Sequence, residues 1–258
     1  MKIFDTHAHY NDEAFDKDRD ELLRSLNAKG IGTVVNVGAS IQSTKETLQL
    51  TRQYHFVYGA AGVHPNETGE LNDNLMEWLR DITRENKIVA VGEIGLDYHW
   101  EEPEPEIQKY WFVRQLTLAR EERLPVIIHS RDAARDTLDI IKAERAEETG
   151  GVLHCFSYGV DLAREYLQMG FYLGIGGVVT FHNARKLKEV VKYAPLDQLV
   201  LETDCPYLSP EPYRGRRNSS LNLIYVAEQI GQIKNIPADE VILVTSRNAK
   251  RLYRILDE

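Results

Sequence analysis

Cysteine is scarce in this chain. Cys155 and Cys205 are the only two in 258 residues, which argues against a disulfide framework and fits a reducing compartment. Long apolar runs are missing as well: none approaches the ~20 residues that a membrane helix needs. The first apolar segment already carries histidines with functional spacing, leaving no room for a signal peptide. A cytoplasmic location without membrane contact is therefore expected. No linker, repeat or low-complexity tract divides the chain, which reads as one domain over residues 1–258. Basic residues are outnumbered, 31 against 40 acidic, for a formal net charge of −9. Proteins that grip nucleic acid along a broad face are usually basic there, so a duplex-gripping protein is disfavoured. No obligate protein partner is evident.

What remains is a globular chain, 43% hydrophobic and 28% charged, without a disorder signature. Short apolar, β-branched runs recur at Lys2–Asp5, Thr33–Val37, Phe56–Val63, Ile88–Ile94, Pro125–His129, Gly151–His154, Tyr172–Gly176 and Leu199–Thr203. Charged segments of helical period lie between them, among them Asp12–Lys29, Ser43–Tyr54, Glu106–Arg123 and Arg131–Glu148. Strands alternating with helices make parallel βαβ units, and near-continuous apolar strands are those covered on both faces. Eight such units in this length predict an α/β fold of the TIM type, a (β/α)8 barrel, with a doubly wound open sheet as the alternative.

The ionisable residues recur at one place in these units. Strand one runs into Asp5-Thr6-His7-Ala8-His9, where alternation puts His7 and His9 on one face. Two histidines alone read equally well as ordinary surface or core residues. Strand four carries Glu93 inside an apolar run, strands five and six end in His129 and His154, and Asp204 follows strand eight. Four imidazoles and two carboxylates thus fall at or near the C-terminal ends of five strands, the face on which barrel active sites are built. These donors suit Zn²⁺, Mn²⁺, Ni²⁺ or Fe²⁺, while Mg²⁺ could support activity through its abundance. Six ligands exceed what one tetrahedral ion needs, which favours two cations. Glu93 is the natural bridge and Asp204 the natural general base toward a water held by the cations.

The chain resembles the TatD-type metal-dependent hydrolases, often called TatD deoxyribonucleases, of the amidohydrolase-like superfamily. The resemblance runs end to end. It includes Asp5-Thr6-His7-Ala8-His9, Gly62-Val63-His64-Pro65, Gly92-Glu93-Ile94-Gly95-Leu96-Asp97-Tyr98 and Ile128-His129-Ser130-Arg131. It continues through His154-Cys155-Phe156-Ser157, Glu202-Thr203-Asp204-Cys205-Pro206-Tyr207-Leu208, Arg214-Gly215-Arg216-Arg217-Asn218 and Asn248-Ala249-Lys250-Arg251-Leu252-Tyr253. It implies a TIM barrel with metal ligands His7, His9, Glu93, His129, His154 and Asp204, and hydrolysis of ester bonds, usually phosphodiesters. One departure stands out: after Arg217-Asn218 the family usually runs into Glu-Pro, where this chain has Ser219-Ser220.

The resemblance places His64 against substrate phosphate or behind the ligands. Arg131, Arg214, Arg216 and Arg217 could hold phosphate oxygens through the guanidinium fork, though arginines after strands are also common helix-surface residues. Cys155 and Cys205 each follow a proposed ligand and, by alternation, read as buried packing thiols. Glu101, Glu102, Glu104 and Glu106 crowd the loop after strand four, where acids and Pro105 suit a helix start. Together these features predict a metal-dependent phosphodiesterase or deoxyribonuclease, 3′ exonuclease-like on single-stranded DNA, engaging strand ends or a small phosphoester. Alternatives are a carbon-ester or amide hydrolase on the same site, such as a D-aminoacyl-tRNA deacylase or lactonase, and a metal-binding scaffold without catalysis.

Overall fold

The computed structural model describes residues 2–255; Met1 and residues 256–258 of the expected domain lie outside the described residues. Among them, eight strands run β1 (Ile3–Ala8), β2 (Ile31–Val37), β3 (Val57–Ala61), β4 (Ile88–Asp97), β5 (Val126–Arg131), β6 (Gly151–Leu153), β7 (Tyr172–Ile175) and β8 (Leu199–Leu201). They pair in parallel in chain order from β1 to β8. The helices are α1 (Arg19–Leu26), α2 (Ile41–Gln53), α3 (Asp73–Thr83), α4 (Pro105–Glu122), α5 (Ala134–Ala143), α6 (Val160–Gln168), α7 (Arg185–Tyr193), α8 (Leu223–Lys234) and α9 (Ala238–Tyr253). None is long and apolar enough to cross a membrane.

The last strand meets the first through the segment that follows it. Asp204 N donates to His7 O at 2.9 Å and His9 N donates to Cys205 O at 2.8 Å. Asp5, fully buried, accepts from Thr203 N at 3.0 Å, Thr203 Oγ1 at 2.7 Å and Ser220 Oγ at 2.6 Å. Burial pushes this carboxyl up to about 7 against the pull of those donors. The result is a nearly closed barrel of the TIM type, and the open-sheet alternative falls because both would-be edges are bonded to each other.

Two apolar layers hold it. Phe4, Val35, Val37, Ala60, Ala90, Ile127, Val152 and Val200 fill the barrel interior together with Ala249, Leu252 and Tyr253 of α9. Tyr253 stacks on Phe4 at 6.1 Å and donates to Thr6 O at 3.0 Å, so α9 closes the end opposite the strand C-termini. The alternate residues, such as Val34, Val91, Ile128 and Leu153, pack outward under the helices.

Local chemistry sets the helix ends. Ser40 and Ser43 form a capping box on α2, Asn72 caps α3 through Leu75 N at 3.1 Å, and Pro105 opens α4. Two expected helices are shorter than their periodicity suggested. Residues 12–29 hold a 3₁₀ turn at Glu13–Phe15, α1, and a second 3₁₀ turn at Asn27–Lys29. Residues 131–148 begin with Arg131 as the end of β5, and α5 spans only ten of them.

Candidate active site

Simple alternation does not aim all the acidic and imidazole groups inward; irregularities in two strands do. Interior-facing Phe4 would direct Thr6 and Ala8 to the centre, but the pairing of β1 with β2 shifts between Asp5 and Ala8. Likewise Ala90 points inward, and the register of β4 on β5 shifts between Val91 and Ile94. These irregularities turn His7, His9 and Glu93 toward the barrel axis, a frequent use of bulges beside active sites. His129 needs no such shift, lying two residues beyond interior-facing Ile127 in β5, whereas His154 and Asp204 lie just past the ends of β6 and β8, Asp204 with φ of +55°.

Glu93 is buried at the centre, and its two oxygens face different groups. Oε2 lies 3.3 Å from His7 Nε2 and 3.8 Å from His9 Nε2. Oε1 lies 2.8 Å from His129 Nδ1 and 3.8 Å from both His64 Nε2 and His154 Nε2. Asp204 Oδ1 stands 3.4 Å from His9 Nε2 and 3.7 Å from the Nε2 atoms of His7 and His154. His7 Nε2 and His9 Nε2 face each other at 3.0 Å.

The far nitrogens of His129 and His9 are hydrogen-bonded from outside, while His7 Nδ1 is buried without a partner among the described residues. His129 Nε2 donates to Asp97 Oδ2 at 3.0 Å, and His9 Nδ1 donates to Val37 O at 3.0 Å. His154 Nδ1 stands 3.2 Å from Glu202 Oε2. Such outer partners fix ring orientation and raise ligand basicity. Burial works against ionising Glu93, but His154, His7 and His129 overcome it, so its carboxyl stays well below the usual range. Asp204 is held low in the same way, with the His9 hydrogen bond leading the imidazole fields against burial. Burial lowers His154, yet Glu202 and Glu93 raise it to about 10. His64 is pushed down to about 4, chiefly by burial, and its Nδ1 accepts from Asn66 N at 3.2 Å. A neutral ring with Nδ1 so occupied carries its proton on Nε2, so His64 presents a donor to the centre.

A tetrahedral cation with bonds of about 2.0–2.1 Å separates its ligand atoms by about 3.3 Å. His7 and His9 face each other at 3.0 Å, each lies 3.3–3.8 Å from a carboxylate oxygen of Glu93 and of Asp204, and a second set gathers around the other oxygen of Glu93. The donor chemistry and spacing therefore fit divalent cations.

Comparison with known proteins agrees with this reading. The family model described as TatD related DNase matches residues 4–254. The chain belongs to the TatD family. It is 44% identical over 253 residues to the metal-dependent hydrolase YabD of Bacillus subtilis, covering 98% of this chain and 99% of that one. It is 34% identical over 256 residues to the 3′-5′ ssDNA/RNA exonuclease TatD of Cronobacter sakazakii, covering 97% of each. The crystal structure of YJJV, a TatD homologue from Escherichia coli K12, superposes with a TM-score of 0.92 at 31% identity and covers 98% of both chains. This TatD chain is accordingly a metal-dependent hydrolase.

The structure gathers His7, His9, Glu93, His129, His154 and Asp204 of this TatD chain around one centre. A cleft of about 710 Å³ opens over them, with His64 and Arg131 in its lining. Arg217 is not brought there: its guanidinium pairs with Asp18 at 2.6 Å and lies over Phe15 at 4.8 Å. Arg214 instead covers Phe181 at 4.2 Å, and Arg216 packs near Tyr213 at 5.9 Å. Cys205 is buried as expected, but Cys155 is only half-buried. It lies past the end of β6 with φ of +46°, so strand alternation does not govern it, and its N–H donates to Glu202 Oε1 at 2.6 Å.

Asp97 and Glu202 stand inside the quoted motifs but receive no role from the sequence, and the structure sets them behind His129 and His154. The available signal was parity: Asp97 lies four residues from Glu93 and Glu202 two from Asp204. The Ser219-Ser220 departure from the TatD pattern also has a structural use. Ser220 Oγ donates to Asp5 and its N–H donates to Tyr10 Oη at 2.9 Å, tying the loop to β1.

Proposed function

We propose that this chain hydrolyses phosphodiester bonds at the ends of single-stranded DNA, as a 3′ exonuclease-like deoxyribonuclease. In this reading His7, His9, Glu93, His129, His154 and Asp204 hold two divalent cations, drawn from Zn, Mn, Ni or Mg. One observation carries it: the two oxygens of Glu93 are divided between two groups of imidazoles, as sharing a carboxylate between two cations requires. The exonuclease name borne by the Cronobacter sakazakii relative supports the substrate class. When bound, such a pair lowers the pKa of water and neutralises charge on the phosphate.

The chain's own residues supply the rest. Asp204, held ionised by the imidazoles around it, is positioned to take a proton from the attacking water. His64 offers its Nε2 proton to a phosphate oxygen from the wall of the cleft. The exposed guanidinium of Arg131 lines the same wall and suits a second phosphate oxygen. The net charge of −9 favours a strand end or small phosphoester over a duplex.

The test is cleavage of a 3′-labelled single-stranded oligonucleotide by metal-loaded protein beside EDTA-treated protein. Metal-dependent shortening is expected. An intact oligonucleotide, with metal present at the site, would overturn the reading and direct the search to carbon esters and amides.

A further inference from the structure

Two of the largest exposed apolar side chains stand at the mouth of the catalytic cleft. Trp100 is 57% exposed and Tyr207 is 55% exposed, and both line the cleft that contains Glu93 and Asp204. Trp100 follows β4 and Tyr207 follows β8. In an eight-strand barrel with order β1 to β8 these strands are diametrically opposed, so the two rings flank the centre.

Each ring also borders an outer hollow. Beyond Trp100 lies one of about 610 Å³, lined by Asn66, His99, Glu101 and Glu102. Beyond Tyr207 lies one of about 730 Å³, whose lining includes Lys17 and Arg216 together with Asp12, Glu13 and Asp16. The Trp100 side offers an aromatic face for a base and two carboxylates with no cation to offset them, which disfavours a continuing phosphate chain there. Only the Tyr207 side offers cations to a backbone.

Both rings are held in place. His99 meets Trp100 edge to face at 5.0 Å, and His99 N donates to Asp97 Oδ1 at 3.0 Å. Tyr207 Oη donates to Asp12 Oδ2 at 2.8 Å. Fixed, exposed rings beside a phosphoester centre are stacking platforms for nucleobases, an affinity that tolerates any sequence and does not depend on positive charge.

We propose that Trp100 and Tyr207 bind the bases on the two sides of the scissile bond. The terminal base stacks on Trp100, the next on Tyr207, and the remaining strand leaves past Lys17 and Arg216. This rests on the phosphodiester reading above and gives that reading its substrate determinant: a single strand with unpaired terminal bases.

The test uses metal-loaded full-length protein and two oligonucleotides that differ only in a base or an abasic tetrahydrofuran at the terminal nucleotide. Loss of the terminal base is expected to raise KM roughly 5- to 100-fold for the native protein. In Trp100→Leu, which keeps an exposed apolar side chain but removes the π-face, the two substrates should converge to one KM. A phosphorothioate oligonucleotide should quench the tryptophan fluorescence of the native protein, and the quench should disappear in Trp100→Leu. Equal KM for intact and abasic ends in the native protein would overturn the stacking proposal and leave the nuclease reading standing. Cleavage of neither substrate would overturn both.

Discussion

Glu93 and Asp204 stay ionised where little water reaches them, because imidazoles crowd both carboxylates. Removing either charge therefore disturbs more than one partner. Asp204→Asn keeps the shape and an oxygen donor but loses the basic site. Its kcat is expected to fall roughly 10²- to 10⁴-fold, with metal content by mass spectrometry largely retained. Glu93→Gln should lose metal as well as rate, since Glu93 faces both imidazole groups. Equal metal loss in the two variants would remove the distinction between base and bridge. Asp97 was not singled out from the sequence, although it fixes His129 from behind. A carboxylate at the end of an apolar strand carries no mark of what it will bond, and parity narrows the choice without naming the partner.

Elements set the loops that carry these groups, and α4 does so with two buried glutamines. Gln115 accepts from Val63 N at 2.8 Å and donates to Val63 O at 3.1 Å, immediately before His64. Gln108, seven residues earlier and therefore on the same helix face, accepts from Asp97 N at 2.8 Å and donates to Asp97 O at 2.9 Å and Pro103 O at 2.8 Å. One helix thus pins the loops after β3 and β4. Gln115→Leu leaves a buried N–H and C=O without partners and is expected to cost about 2–4 kcal/mol in urea unfolding.

Lys87 joins α2 to the turn before β4, its Nζ donating to Thr51 O and Tyr54 O at 2.6 Å each. Burial lowers its amine from 10.5 to about 8. Between those values the unfolded chain holds a proton that the folded chain has released, so this group makes stability rise as pH rises from 8 to 10.5. Lys87→Met should flatten that rise when unfolding is compared at pH 8 and 10. A parallel pH dependence in both proteins would remove Lys87 as its cause.

At the scale of the whole molecule, charge and closure work separately. With 40 acidic and 31 basic residues, counterion release can contribute little to substrate binding. KM for a single-stranded oligonucleotide is therefore expected to depend weakly on salt, with a log–log slope shallower than about 2. A steep slope would reveal a phosphate track that the charge distribution does not suggest. Closure rests on Asp5, whose carboxylate joins β1 to Thr203 and Ser220. It stands at the first motif of the chain, yet its partners lie about two hundred residues away.

The sequence by itself determined the class of fold, because eight apolar runs alternating with helical segments have few ways to bury both faces. It also determined the kind of chemistry, since imidazoles and carboxylates recur at the strand ends whatever the details of closure. Only the tertiary structure decided which atoms meet. The shifts in β1 and β4 reverse the facing that alternation assigns to His7 and Glu93, and sequence spacing does not record a slipped register. Nor could composition separate Arg131, which reaches the cleft, from Arg217, which Asp18 captures. A guanidinium binds whichever carboxylate or phosphate the folded chain brings within reach, and that is a matter of distance in space.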